Sequence, residues 1–158
     1  MISNFCRAYE PIRMNTQTMT IQDTEQEIIE EFGLFGDDWE MKYEHLIDIG
    51  KSLPLIDAQY KTDDRLIKGC QSKVWLHSEL KDGKLLFRAD SDAIITKGIV
   101  GLMVRVLSGH TPADIMAAKL EFIDQIGLKE HLSPTRANGL VSMIKQMKLD
   151  ALAYSIKK

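Results

Sequence analysis

Lys73-Val74-Trp75-Leu76-His77-Ser78-Glu79-Leu80-Lys81-Asp82-Gly83-Lys84-Leu85-Leu86-Phe87-Arg88-Ala89-Asp90 reads as two alternating arms about one turn. Asp82-Gly83 is a strong two-residue hairpin signal, because both residues tolerate positive φ. Val74, Leu76, Ser78 and Leu80 share a face of the first arm, and Leu85, Phe87 and Ala89 share a face of the second. A two-residue turn pairs Leu80 with Leu85, Ser78 with Phe87 and Leu76 with Ala89. One face is then mostly apolar on both arms, which fixes the register. The other face pairs His77 with Arg88 and Trp75 with Asp90. Upstream, Arg65 to Lys68 reads as a short strand, joined to the first arm by a turn over Gly69 to Ser72.

Helical patterns lie on both sides of this sheet. Ile21 to Phe32 is a short acidic amphipathic helix with Ile21, Ile28, Ile29 and Phe32 as its apolar positions, broken at Gly33 to Gly36. Asp37 is expected to cap a second helix, with Glu40 completing a capping box. Trp39, Tyr43, Leu46, Ile47 and Gly50 follow at helical spacing, and Gly50 is expected to end it shortly before Pro54. Residues 55 to 64 are a polar connection anchored by Leu55 and Ile56.

After the hairpin, Asp92 is expected to cap a helix over Ala93 to Leu107. That helix is apolar nearly all round, so it is expected to be the buried one against the sheet. Gly109 stops it. Thr111-Pro112 starts a short helix to about Ala118, and Phe122 to Ile126 forms another turn of helix. Ser133-Pro134 opens a long final helix carrying Leu140, Met143, Ile144, Met147, Leu149 and Leu152. Helices, then a small antiparallel sheet of about three strands, then helices make an α+β fold.

The chain has 158 residues, the length of one domain. Residues 1–20 are expected to be a disordered N-terminal extension, and residues 21–158 one folded unit. Residues 1 to 18 are mixed and aperiodic, and Met14 and Met19 are alternative starts. The N-terminus lacks the apolar core of a signal peptide. A net charge of -3 argues against a general nucleic-acid binder. No apolar run reaches the roughly 20 residues of a membrane helix. Two isolated thiols, Cys6 and Cys70, suit a reducing cytosol better than a disulfide framework, so a cytoplasmic location is expected.

Cys70 follows a glycine at a turn between strands, which can present a thiol outward. It can equally be a small buried core cysteine. Lys68 and Lys73 flank it, and a positive neighbour is the usual route to a reactive thiolate. His45, His77, His110 and His131 are scattered, and none stands at metal-ligand spacing. His77, opposite Arg88, reads as a solvated strand residue. No metal is expected. Arg136 sits in the first turn of the last helix, where a cation gains nothing from the helix dipole.

Gly69-Cys70-Gln71-Ser72-Lys73-Val74-Trp75 resembles the GCQS-x-VW signature of the SufE family of sulfur acceptors. Trp39-Glu40-x-Lys42-Tyr43, with Ile49-Gly50 and Leu53-Pro54, resembles the early helix of that family. Asp90-Ser91-Asp92-Ala93 and Lys97-Gly98 resemble its GDSDA…KG segment, with Ala89 in place of the usual glycine. His131-Leu132-Ser133-Pro134-Thr135-Arg136 and Gly139-Leu140 resemble its HL[ST]P[ST]R…GL segment. The likeness spans about residues 24 to 150 and leaves Cys6 outside it.

This resemblance implies a fold shared with IscU-type scaffolds, without their several cysteine ligands. It implies that Cys70 accepts sulfane sulfur as a persulfide from a SufS-like cysteine desulfurase and stimulates that enzyme. Sulfur would pass on to a SufBCD-like scaffold for iron–sulfur assembly. Gln71, Ser72, Asp92 and Arg136 become candidates at the partner-docking surface. Pyridoxal phosphate would belong to the desulfurase; no cofactor of the chain's own, no independent turnover, and a monomer or weak homodimer are expected. The rival readings are a partner of a CsdA-type desulfurase, a non-catalytic allosteric activator, and a Cys hydrolase.

Overall fold

The computed structural model describes residues 19–54 and 56–156. The expected extension, with Cys6, lies outside them up to residue 18, as does the anchor Leu55. Helix α1 (Ile21–Gly33) starts at Thr20, whose hydroxyl accepts from the Asp23 amide while the Asp23 carboxylate accepts from the Thr20 amide. These reciprocal bonds satisfy donors the first helical turn leaves open. Ile21, Ile28 and Phe32 face the core, as their spacing implies.

Helix α2 (Trp39–Lys51) differs from expectation at both ends. Its cap is Asp38, which accepts from the Met41 amide at 3.2 Å, not Asp37. The Asp38 amide is bonded to the Phe35 carbonyl, which carries the preceding turn one residue further. Gly50 does not end the helix, which runs to Lys51. Gly50 instead meets Gly98 of α3 (Ile94–Leu107). A Cβ at 50 would fall 2.8 Å from the Gly98 amide nitrogen, and one at 98 would fall 2.3 Å from the Leu46 carbonyl oxygen. The two helices therefore cross with their backbones in contact.

Strands β1 (Val74–Lys81) and β2 (Lys84–Ser91) pair antiparallel in the expected register, Leu80 with Leu85 and Leu76 with Ala89. Asp82 and Gly83 both take positive φ, 55° and 79°. Arg65 to Lys68 is not a full strand. It contributes one antiparallel bridge, Leu66 to Trp75, with the Ile67 amide donating to the Val74 carbonyl. A 3₁₀ turn over Asp63–Arg65 and positive φ at Gly69 crowd it from both sides. The far edge of β2 is partly covered, because Leu85 exchanges backbone hydrogen bonds with Gly109 and His110.

The apolar face of the hairpin, with Val74, Leu76, Leu85 and Phe87, packs into one core with α3. That helix buries ten of its residues, as its all-round apolar sequence implies. Helices α4 (Pro112–Ala117), α5 (Phe122–Gln125) and α6 (Leu128–His131) lead to α7 (Pro134–Ile156). The buried row of α7 is Gly139, Leu140, Met143, Met147 and Ala151. Leu149 and Leu152 fall off that row and are exposed. No helix among the described residues is long and apolar enough to cross a membrane.

Candidate functional site

Cys70 lies where the Gly69–Lys73 loop passes over the start of α7. Gly69 has φ +94°, and a Cβ there would meet the Ser142 hydroxyl oxygen at 2.3 Å. Both the turn and its seat on α7 therefore require glycine. The loop carries the Cys70 thiol inward, half-buried, to donate to the Gly139 carbonyl at 3.6 Å.

The far end of the loop is pinned by Asp92. Its carboxylate accepts from the Lys73 amide at 3.0 Å, and its own amide donates to the Lys73 carbonyl. Asp92 is thus not the expected helix cap; Ala93 holds that position, with no side-chain cap. The Lys73 amide outcompetes the helix amides for this carboxylate. Asp90 braces the same junction through Lys61 at 2.7 Å and Lys97 at 3.3 Å. Burial pushes the Asp90 carboxyl up, but the Lys61 hydrogen bond, the Ser91 amide and the Lys97 charge hold it below its usual range.

The thiol opens on a cleft of about 210 Å³. Gln71 and Ser72 of the loop line it, together with Ser133, Thr135 and Arg136 at the start of α7. Thr96 and Ile99 of α3 and Met143 of α7 make the floor. Four of the five residues singled out in sequence, Cys70, Gln71, Ser72 and Arg136, thus meet in one cleft. Asp92 stands outside it and acts on the loop. Thr96 is a residue the sequence reading missed. Its signal was slight: one hydroxyl in a largely apolar helix.

Burial pushes the Cys70 thiol above its ordinary range, and neither Lys68 nor Lys73 offsets it. The flanking lysines therefore do not activate the resting thiol. No histidine lines the cleft. His77 is not solvated: it lies flat on Tyr60, ring centres 3.7 Å apart, and accepts from the Arg65 guanidinium. His131 stacks on Trp39, while Tyr43 donates to its carbonyl. His45 pairs with Glu31, and His110 bonds Leu85 through its backbone. None of the four histidines is therefore placed in the cleft lining as a base for the thiol. Among the described residues no three His, Cys, Asp or Glu side chains gather to hold a metal.

Comparison with known proteins agrees with this arrangement. The model of the SufE Fe-S metabolism associated domain matches residues 26–151. An uncharacterized SufE-like protein of Rhizobium meliloti is 39% identical over 130 residues, covering 79% of this chain and 92% of that one. An uncharacterized SufE-like protein of Synechocystis is 36% identical over 115 residues, covering 73% and 72%. SufE-like protein 1 of Arabidopsis thaliana, chloroplastic/mitochondrial, is 38% identical over 117 residues; the match covers 73% of this chain but only 32% of that longer protein. A hypothetical protein from Thermus thermophilus, solved in solution, shares the fold with a TM-score of 0.69 at 19% identity, over 82% of this chain and 94% of that one. The domain match and these relatives show that the chain belongs to the SufE family and takes part in Fe–S metabolism.

Proposed function

We propose that the protein accepts sulfane sulfur from a cysteine desulfurase onto Cys70 and delivers it for iron–sulfur cluster assembly. The observation that carries this is the Cys70 thiol, held on a glycine-led loop at the mouth of a small cleft whose described lining contains no histidine. Such a thiol suits exchange with a partner's sulfur.

In the proposed step the Cys70 thiolate attacks the terminal sulfur of the desulfurase persulfide. A new S–S bond forms on Cys70, the donor's S–S bond breaks, and the donor cysteine leaves as thiolate. No net oxidation occurs. The rate of such exchange depends on thiolate fraction, nucleophilicity and access. The chain brings no cofactor to this step. Pyridoxal phosphate on the desulfurase does the hard chemistry of freeing sulfur from cysteine. The resting thiol is half-buried and burial raises it, so taking sulfur from the bulky desulfurase requires docking to draw the loop out. Gln71 and Ser72 on the loop, Asp92 behind it and Arg136 in the cleft are the partner-facing groups. A SufBCD-like scaffold would be the onward acceptor, in the reducing setting of the cytoplasm.

Incubating the chain with a desulfurase, pyridoxal phosphate and cysteine, then measuring intact mass, tests the reading. The expected result is one added sulfur on the wild type and none on Cys70→Ser. A wild type that gains no sulfur defeats the proposal. Full stimulation of the desulfurase by Cys70→Ser under reductant would show allosteric activation instead. Running SufS-type and CsdA-type enzymes side by side identifies the donor.

A further inference from the structure

We propose that the outer part of the Cys70 cleft binds the carboxylate of a small thiol, which takes sulfane sulfur directly from Cys70. The transfer half of this inference rests on Cys70 carrying sulfur as proposed above; the binding half does not.

Four observations converge on an anion. First, the cleft receives the N-terminus of α7, a helix of 23 residues whose partial positive charge is a ready anion site. Second, Arg136 lines the same cleft, has no ion pair among the described residues, and no acidic residue lines the cleft. Third, Thr96 on the floor is only 6% exposed, yet its hydroxyl has no hydrogen-bond partner among the described residues. Glu25 Oε2 is the one fully buried side-chain polar atom without a partner among the described residues, so the Thr96 oxygen is not sealed in and is open to a ligand. Fourth, the exposed Thr135 hydroxyl at the cleft mouth is not engaged by another side chain, whereas the Ser133 hydroxyl is taken by the Arg136 amide at 3.3 Å.

These positive groups are not used by the Cys70 thiol. Its contact on α7 is Gly139, which lies about 7.5 Å along the axis from Pro134. The field of a helix end falls off within its first turn. The thiol, raised by burial alone, stands beyond that reach. A ligand with its negative group at Thr135 and Arg136 therefore extends its other end toward Sγ. The volume, about 210 Å³, is below the range of about 300–1,000 Å³ typical of drug-sized ligands. A compact molecule with a carboxylate at one end and a thiol at the other matches both ends of the cleft.

The transfer balances without an oxidant or reductant. The bound thiol loses its proton to water and its thiolate attacks the outer sulfur of the Cys70 persulfide. A new S–S bond forms on the small molecule, the bond to Cys70 Sγ breaks, and Cys70 leaves as thiolate and is reprotonated by water.

The binding half is tested on the free protein by alkylating Cys70 with iodoacetate and with iodoacetamide, each rate divided by that of free cysteine. The two reagents differ in carrying a carboxylate or a neutral amide. The expected ratio favours iodoacetate by roughly five- to tenfold. It should fall to the free-cysteine ratio in Arg136→Ala and part of the way in Thr96→Val, and acetate should slow iodoacetate alone. A wild-type ratio at or below that of free cysteine overturns the site. So does a preference that survives in folded Arg136→Ala; if that variant does not fold, acetate competition on the wild type decides. The transfer half is tested on sulfur-loaded chain with 3-mercaptopropionate and 2-mercaptoethanol, scaled to their rates with free cysteine persulfide. A preference for the carboxylate thiol that Arg136→Ala removes is expected, and equal scaled rates overturn the acceptor. Failure of Cys70 to load defeats the function proposed above and the transfer half together, while alkylation still decides the site.

Discussion

Gly69 and Cys70 illustrate how one backbone angle sets the reactivity of the next residue. Alanine at 69 would hold φ +94° at a cost of roughly 1–2 kcal/mol and push against the Ser142 side chain. We expect Gly69→Ala to lift the loop off α7. In the wild type burial raises the thiol, so less of it is thiolate at neutral pH than in free cysteine. Its alkylation rate should still be climbing at a pH where free cysteine has levelled off. In Gly69→Ala the midpoint should drop toward that of free cysteine and the neutral-pH rate should rise. A pH–rate profile with iodoacetamide checks both; identical profiles in the two proteins would contradict the loop's role. At this scale Cys70 was legible because it sits in a dense local motif. Asp92 was misread because an aspartate before a helix is the usual cap, and its real partner, Lys73, lies nineteen residues back. Thr96 was invisible because a lone hydroxyl in an apolar helix carries no periodicity.

Between elements, the hairpin and the α2–α3 crossing differ in how far their causes reach. The register of β1 and β2 follows from two turn residues and the alternation beside them, so sequence alone reached it. The crossing depends on Gly50 and Gly98, forty-eight positions apart, meeting in space. A glycine four residues before a proline looks locally like a helix stop, and nothing nearby reveals the contact that holds the helix to Lys51. The crossing makes a sharp prediction. Alanine at 98 would put its Cβ 2.3 Å from the Leu46 carbonyl, a backbone atom that cannot rotate aside. The expected loss is about 3 kcal/mol, the upper end of overpacking costs. Each kcal/mol lowers Tm by roughly 2–4 °C at this chain length. Gly33→Ala is the control: a Cβ there meets nothing within 4 Å, so thermal melting should be unchanged or slightly raised. Equal melting of the two variants would mean that the helices do not cross at van der Waals contact.

Across the whole molecule, α7 joins the cleft to the far end of the sheet. Near its start the Gly139 carbonyl receives the Cys70 thiol. Further on, Lys148 donates to the Ala118 carbonyl, Asp150 accepts from the Ser78 hydroxyl at 2.9 Å, and Tyr154 donates to the Ser78 carbonyl at 2.9 Å. Sequence located this helix from its cap and proline but did not say which of its apolar residues face inward. Leu149 and Leu152 are apolar yet exposed, because the row set by Gly139, Met143, Met147 and Ala151 turns them to solvent. Hydrophobicity alone does not say which of two apolar stripes is buried when the neighbours are unknown. Met147 is fully buried in the row that does pack. Truncating it should cost about 2–5 kcal/mol. Because α7 bonds to the cleft loop, the hairpin and the turn after α4, that loss should be felt everywhere at once. Met147→Ala should lower the melting midpoint by the same amount in far-ultraviolet circular dichroism and in tryptophan fluorescence, which reports Trp39 on α2 and Trp75 on β1. Midpoints that separate would show that the α2 and hairpin regions unfold independently of α7, and that the cleft wall is not coupled to the sheet that follows the Cys70 loop.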